Sequence, residues 1–146
     1  MKAFIFLLMG FATMEFVAWF THKYIMHGFL WTLHASHHRH TKGFFEWNDL
    51  FFVFFGTIAA ILIMLGFETF DYRFWLGCGV SLYGLSYFLF HDIVIHKRFR
   101  IFRRPRNRYL RAMVKAHQDH HKSIGREGAV AFGLFIVPKK YLKNKV

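Results

Sequence analysis

Three long apolar runs dominate the chain, at residues 3–20, 50–67 and 74–90. At 1.5 Å per residue, a helix over any of them would be about 25–27 Å long, close to the thickness of a bilayer hydrocarbon core. Glu15 is the only charged residue within the three runs. The pattern therefore predicts three membrane-spanning helices.

Two further features bear on the number of spans. The first run could be a secretory signal peptide, but it is longer than the apolar core of such a peptide, and no small-residue cleavage site precedes His22. The apolar stretch at 128–137 is too short to cross before Pro138 and predicts an interfacial or re-entrant piece. We therefore expect one all-α integral membrane domain over 1–146, with three spanning helices and a possible fourth interfacial or re-entrant helix.

The positive charges indicate how this bundle is oriented. Eighteen of the twenty Lys and Arg residues lie in segments 22–49 and 91–126 or in the tail that begins at residue 127. Short loops rich in Lys and Arg stay on the cytoplasmic side of a membrane. We therefore expect a multi-pass protein of the cytoplasmic (inner) membrane, with both long polar segments inside and the turn at 68–73 outside.

The composition narrows the class of protein. Apolar residues make up 55% of the chain and the net charge is +12, while the mean hydropathy is +0.24. A nucleic-acid reader keeps its charge on a water-exposed face and has no runs of this length, so anionic lipids are the better partner. The single cysteine, Cys78, excludes an intrachain disulfide, a cysteine-ligated zinc site and an iron–sulfur cluster.

Histidines carry the candidate chemistry, because ten of the eleven fall into four groups. The chain has an H-x4-H pair, an H-x2-H-H triplet, and then both patterns again in the same order: His22, His27; His34, His37, His38; His91, His96; His117, His120, His121. On an α-helix a triplet covers one sector of about 100°, so its three rings point the same way. Residues five apart lie 140° apart, so we expect the helix to fray or turn at each pair, and Gly28 fits such a turn.

The topology predicts that both halves of this repeat meet. Two crossings separate His22 from His91, so the histidine segments 22–40 and 91–121 emerge on one face and form a cytoplasmic cap. Ten neutral imidazoles are too many for one ion and suit two ions with about five nitrogens each. Iron, zinc, copper and nickel all accept imidazole, so the donor atoms leave the metal open.

Other residues near the histidines have simpler interpretations. Asp92 and Asp119 are candidates to hold imidazole N–H groups, with solvation as the alternative for each. His40 lies outside the repeat and is interpreted as a bystander. Glu15 is about 10 Å along the helix axis from His22, too far for a direct bond, and is expected to face the bundle interior.

Two composition features suggest partners. The basic run at 97–115 contains no acid. It is interpreted as a solvated face that is attracted to anionic lipid headgroups. A second interpretation, compatible with the first, is that an acidic electron carrier docks on it. The many aromatic residues suit membrane helices and interface belts, with a channel for an apolar substrate as the alternative.

The stretches around the histidines resemble a known family. They are HKYIMHG (22–28), LHASHH (33–38), KGFFEWNDL (42–50), YGLSYFLFHDIVIH (83–96) and AHQDHH (116–121). They resemble bacterial β-carotene 3-hydroxylases, which belong to the fatty acid hydroxylase superfamily of histidine-box membrane di-iron enzymes. The resemblance covers about residues 15–134, including the stretches between the histidines.

The resemblance implies O2-dependent hydroxylation of carbon 3 on the β-ionone rings of β-carotene, giving β-cryptoxanthin and zeaxanthin. It implies two Fe2+ ions held by the ten repeat histidines, a carotenoid taken from the bilayer, and electrons from a reduced ferredoxin-type donor. A fatty-acid or sterol hydroxylase or desaturase of the same superfamily is the alternative enzyme. A metal transporter or storage protein is the alternative of a different class.

Overall fold

The structure, a computed structural model, describes residues 1–39, 45–99 and 105–143. Within these ranges all regular structure is helical. The elements are α1 (Lys2–Phe20), π1 (Thr21–Phe29), α2 (Trp31–His38), α3 (Asp49–Gly66), α4 (Tyr72–Tyr87), π2 (Phe88–Ile95), α5 (Arg108–His120) and α6 (Lys139–Lys143). His40 and part of the basic run lie outside the described residues.

The three predicted spans are present as helices. The helical segments at Lys2–Phe29, Asp49–Gly66 and Tyr72–Ile95 are long and apolar enough to cross a membrane. Helix α1 alone is 19 residues long, about 28 Å, and so fills a bilayer core without its π-helical extension. Large outward side chains such as Phe4, Val53 and Met64 are exposed, as lipid-facing residues are. The prediction of an all-α, multi-pass membrane bundle is confirmed.

Helix α4 lies at the centre of the bundle and packs against both α1 and α3. Glycines allow these close approaches. A Cβ added at Gly79 would collide with the carbonyl of Leu7 on α1, and one added at Gly77 would meet the backbone of α3 at Ala59. In a membrane, where lipid is as apolar as a side chain, such close backbone contact is a main source of helix association.

Helix α5 closes the cap over the ends of the spans. Its first turn is capped by the Asn107 side chain, which accepts from the backbone N–H groups of Tyr109 and Leu110. One face is buried, through Ala112, Met113 and Ala116, against residues of π2 and of the C-terminal segment. Because His117 and His120 lie on the same buried face, this packing turns both rings inward.

The apolar stretch at 128–137 is not a helix, so the possible fourth helix is not formed. Its irregular backbone packs against α1 and is held there by Glu15. One Glu15 carboxylate oxygen accepts from the N–H groups of Phe135 and Ile136 at 2.9 and 2.8 Å, and the other accepts from the Tyr83 hydroxyl at 2.9 Å. Irregular backbone is stable near a membrane only where protein groups satisfy it, and Glu15 does this. It faces the bundle interior, as the sequence predicted.

Replacing Glu15 with Ala should therefore destabilise the protein. The change leaves two backbone donors and one buried hydroxyl without their charged acceptor, at a cost of about 3 kcal/mol. The measurement is thermal unfolding of the purified protein in detergent. Glu68→Ala is the control, because Glu68 is exposed in the turn between α3 and α4. Equal unfolding temperatures for the two variants would contradict the role given to Glu15.

Candidate metal centre

The two H-x4-H pairs are associated with the π-helical segments: His22 and His27 lie within π1, His91 lies within π2, and His96 is the C-cap residue of π2. In a π-helix the N–H of residue i+5 bonds the carbonyl of residue i, so side chains five apart lie one turn above each other. The N–H of His96 donates to the carbonyl of His91 at 2.9 Å in this way, and His22 and His27 both lie within π1. Each pair can thus present both rings on one face, which α-helical geometry does not allow.

The turn predicted after His27 is also present. Gly28 leaves helical geometry, with φ −103° and ψ −124°, and this kink redirects the chain into α2. All three triplet histidines of α2 are buried. The turn was predicted from the sequence but the π-helix was not, although the five-residue spacing of the histidines is a signal for it.

The ten repeat histidines gather into two clusters. Ligand-capable atoms of five of them lie within 4.8 Å of one another and define the N-terminal cluster: His22, His27, His34, His38 and His120. Four more do so in the C-terminal cluster: His37, His91, His96 and His117. The Nε2 atom of His121 lies 2.8 Å from that of His117, so we include His121 in the C-terminal cluster.

The middle histidine of each triplet joins the other half of the site. His37 belongs to the first triplet but meets His91 of the C-terminal cluster, with 3.2 Å between the Nε2 atoms. His120 belongs to the second triplet but meets His27 and His38 of the N-terminal cluster, each at 3.2 Å. On an α-helix the first and third histidines of a triplet, at i and i+4, lie about 40° apart around the axis. The middle histidine, at i+3, lies about 60° to the other side of the first, so its ring can point to the other cluster.

In each ring of the N-terminal cluster, Nε2 faces the other rings and Nδ1, the outer nitrogen, faces away from them. Hydrogen bonds from these outer nitrogens fix the orientation of the rings. Each Nδ1 donates at 2.7–2.9 Å to one neutral oxygen. Backbone carbonyls accept from four of the rings, and the Asn48 side-chain oxygen accepts from the fifth, His34. Because the proton is on Nδ1, each Nε2 presents its lone pair to the centre of the cluster.

The inner nitrogens have the spacing of metal ligands. Contacts between neighbouring Nε2 atoms range from 2.8 Å at His121–His117 to 3.2 Å at His37–His91. Where both rings carry their proton on Nδ1, such a contact is not a hydrogen bond, since neither Nε2 has a proton to donate. Nitrogens about 2.1 Å from one metal ion lie about 3.0 Å apart when adjacent. The donor set therefore fits two metal ions, one in each cluster.

Burial keeps these rings in the neutral form that binds metal. It lowers the pKa of His34 and of His120 to about 3, and the neighbouring imidazoles add to the effect. Burial and the adjacent rings also lower the pKa of His37 and of His117 well below the usual value. Since a metal ion must displace any ring proton, a site that stays deprotonated at neutral pH favours binding.

Of the two acidic residues singled out in the sequence, Asp92 lies beside a ring of the site and Asp119 does not. Glu46 accepts from Nδ1 of His37 at 2.8 Å, and neither Glu46 nor Asn48 was predicted. Asp92 lies 3.5 Å from Nδ1 of His91, at the outer limit of a hydrogen bond. Asp119 pairs with Lys115 and Lys122 and contacts no ring in the described part of the chain.

An apolar cavity opens beside the two clusters. Its volume is about 730 Å3, with the open mouth included. His22, His91 and His117 line one end, and the rest is formed mainly by apolar and aromatic side chains of α1, α3, α4 and the 128–137 segment. A molecule in this cavity would touch rings of both clusters.

The fold and the site define a class of protein: a multi-pass helical membrane protein with two buried histidine clusters beyond the ends of its spans. The family model described as fatty acid hydroxylase matches residues 7–138. The chain belongs to this family and is accordingly an enzyme of the oxygenase type. The family assignment thus disfavours the transporter and storage alternatives.

Individual relatives are more specific. The β-carotene hydroxylase of Pseudescherichia vulneris is 49% identical over 127 residues, which cover 87% of this chain and 72% of the relative. That of Pantoea ananas is 44% identical over 125 residues, with coverage of 86% and 71%. The chloroplastic β-carotene 3-hydroxylase 2 of Arabidopsis thaliana is 36% identical over 131 residues, covering 87% and 43%. These findings confirm the resemblance seen in the motifs. No solved structure matches the chain.

The buried neutral histidines predict that the metal-free protein loses stability in acid. In the unfolded chain their pKa is the ordinary 6.5, whereas folded His34 and His120 take up a proton only near pH 3. Between these limits protons favour the unfolded chain, so stability falls as the pH drops below 6.5. At pH 5 each of these two rings should lower the free energy of unfolding by about 2 kcal/mol.

Thermal unfolding of the metal-stripped protein at pH 7.5 and 5.0 measures this effect. A His34→Gln variant should lose less stability on acidification than the wild type, because glutamine does not titrate. An unfolding temperature that falls equally in both proteins would contradict the assignment to this ring.

Proposed function

We propose that the chain hydroxylates carbon 3 of the β-ionone rings of β-carotene, giving β-cryptoxanthin and then zeaxanthin. The observation that carries the proposal is the 49% identity over 127 residues with the β-carotene hydroxylase of Pseudescherichia vulneris. The apolar cavity beside the histidine clusters supports it.

In this proposal the ten clustered histidines hold two iron ions, which when bound would supply the activation of O2 and the oxidation of the ring C–H bond. Each hydroxylation converts one C–H bond to C–OH with one O2, two electrons and two protons, and releases one water. A reduced ferredoxin-type protein is proposed as the electron donor, with the basic segment 97–115 as its docking face.

The residues of the chain would bind and orient the ring. Phe51, Phe52 and Phe55 of α3 form an aromatic wall of the cavity, and Gly84 on α4 leaves room opposite them. An apolar wall of this kind excludes water. It would bind an apolar ring through the burial of apolar surface and not through polar contacts. Tyr87 stacks on His91, with ring centroids 4.5 Å apart, and so fixes one side of the metal end.

A second cavity provides a route from the bilayer. It shares Met14, Phe52, Phe55 and Gly84 with the first cavity and runs between α3 and α4 to Leu85 and Phe88. Leu85 is 55% exposed on the outer surface of the spans. A long apolar substrate would place one ring at the histidines while the rest of it stays in lipid. A substrate dissolved in water would not need this route.

The proposed location is the cytoplasmic membrane, with the histidine clusters on the cytoplasmic side. The clusters lie where α1 and α4 end and α3 begins, so both occupy one end of the bundle. The segments at that end contain most of the Lys and Arg residues, which favours the inner face and contact with anionic lipid headgroups.

Expression in cells that accumulate β-carotene tests the reaction. We expect the pigment to gain one and then two oxygen atoms, as measured by mass spectrometry, and His37→Ala to be the inactive control because it removes a ring of the C-terminal cluster. Unchanged pigment together with newly hydroxylated or desaturated fatty acids or sterols would favour the alternative enzyme of the family.

The substrate route is tested by filling it at Gly84. A Cβ added there has only the Phe52 ring within 4 Å, at 3.9 Å, and Gly84 lines both cavities, so Gly84→Leu should be accommodated by the backbone and obstruct the cavity. We expect carotene turnover to fall by about tenfold or more, roughly 1.4 kcal/mol in the barrier, with unchanged iron content. Ser86→Leu on the same helix is the control, because Ser86 lines neither cavity. Equal turnover by both variants would exclude this route.

A further inference from the structure

The two histidine clusters differ in the charge of the groups that hold their outer nitrogens. Every ring of the N-terminal cluster donates from Nδ1 to a neutral oxygen. In the C-terminal cluster, His37 donates to the Glu46 carboxylate at 2.8 Å, and the Asp92 carboxylate lies 3.5 Å from Nδ1 of His91. Glu46 and Asn48 are two residues apart and accept from rings of different clusters. Glu46, a carboxylate, accepts from His37 of the C-terminal cluster, and Asn48, a neutral amide, accepts from His34 of the N-terminal cluster.

The carboxylates of the C-terminal cluster belong to a partly buried ionic network. The Arg98 guanidinium lies 2.9 Å from Asp49, 3.3 Å from Asp92 and 3.8 Å from Glu46. The four side chains are between 13% and 27% exposed. Among the described residues, three carboxylates and one guanidinium thus gather beside this cluster, where burial weakens the screening by water.

No comparable charge lies against the N-terminal cluster among the described residues. Glu127 is close in sequence to Arg126, whose carbonyl accepts from His27, but the Glu127 side chain is 89% exposed. Glu15 bonds the backbone at Phe135 and Ile136 and not an imidazole. Within the described residues, the two clusters therefore share the same donor atoms and differ in the carboxylates beside their outer nitrogens.

A carboxylate that accepts from a ligand histidine raises the basicity of that ring and strengthens its bond to a metal. It also compensates part of the charge of a divalent ion in a site with neutral ligands only. We infer that the two metal positions are inequivalent, and that the C-terminal cluster binds a divalent cation first and more tightly. The inference rests on the dinuclear centre of the proposed function but not on the substrate.

Anaerobic titration of metal-stripped protein with 57Fe2+, followed by Mössbauer spectroscopy and metal analysis, tests the order of binding. The wild type should show one dominant iron signal at one equivalent and a second signal only as loading approaches two equivalents. A His96→Gln variant should lose the tight step, and His27→Gln the weak one, which assigns each step to its cluster.

Charge variants test the cause. Glu46→Gln should weaken the tight step by about 10–100-fold and leave the weak step unchanged, and Glu46→Asp should recover part of the loss. Asn48→Asp places a carboxylate on His34 and should tighten the weak step, so that the two affinities approach each other. Glu127→Gln removes an exposed carboxylate near the N-terminal cluster and should change neither step.

Three results would overturn the inference. They are two equal steps in the wild type, a tight step that survives in His96→Gln but not in His27→Gln, and a Glu46→Gln variant with unchanged affinities. A wild-type protein that binds no iron, or only one ion, would instead contradict the dinuclear centre itself. The failure of the inference is thus separable from the failure of the proposed function.

Discussion

Bare imidazole nitrogens that face one another at about 3 Å repel unless positive charge lies between them, and this constraint organises the protein. In the N-terminal cluster each ring uses its outer nitrogen as a donor, which leaves the inner lone pair for a cation. The irregular segment before Pro138 is placed to serve this arrangement, because the carbonyls of Val130 and Phe132 accept from His120 and His22. Glu15 in turn holds that segment from within the bundle.

The exchange of middle histidines links the two halves of the cap. His37 comes from α2 and His120 from α5, and each lies in the cluster formed mainly by the other half. Neither cluster is complete until both helices have docked. Metal binding and assembly of the cap would therefore be thermodynamically linked, so that each stabilises the other. The three spans provide the frame, since close contact at Gly77 and Gly79 fixes how α3 and α1 pack against α4.

The position of the site at the end of the spans explains how a membrane enzyme can act on an apolar molecule. The lining of the cavity is apolar toward the bilayer and imidazole-rich only at its cap end. The substrate would need to leave lipid only at the atoms that react. The Glu46 and Asp92 carboxylates lie beside the C-terminal cluster and do not line the apolar cavity, whereas Asn48, the neutral acceptor for His34, does.

The sequence alone determined the all-α membrane fold, the three spans, the meeting of both histidine segments at one end, and the membership in a hydroxylase family. The fold, the spans and the meeting of the histidine segments follow from run length, histidine spacing and the number of crossings, which are local or additive properties of the chain. The family follows from the resemblance of the stretches around the histidines. Only the tertiary structure decided which histidine joins which cluster, that Glu46 and Asn48 support His37 and His34, and that 128–137 is irregular backbone rather than helix. These depend on contacts such as His22 with Phe132, 110 residues apart, and on satisfying buried polar groups across elements, which no local pattern records.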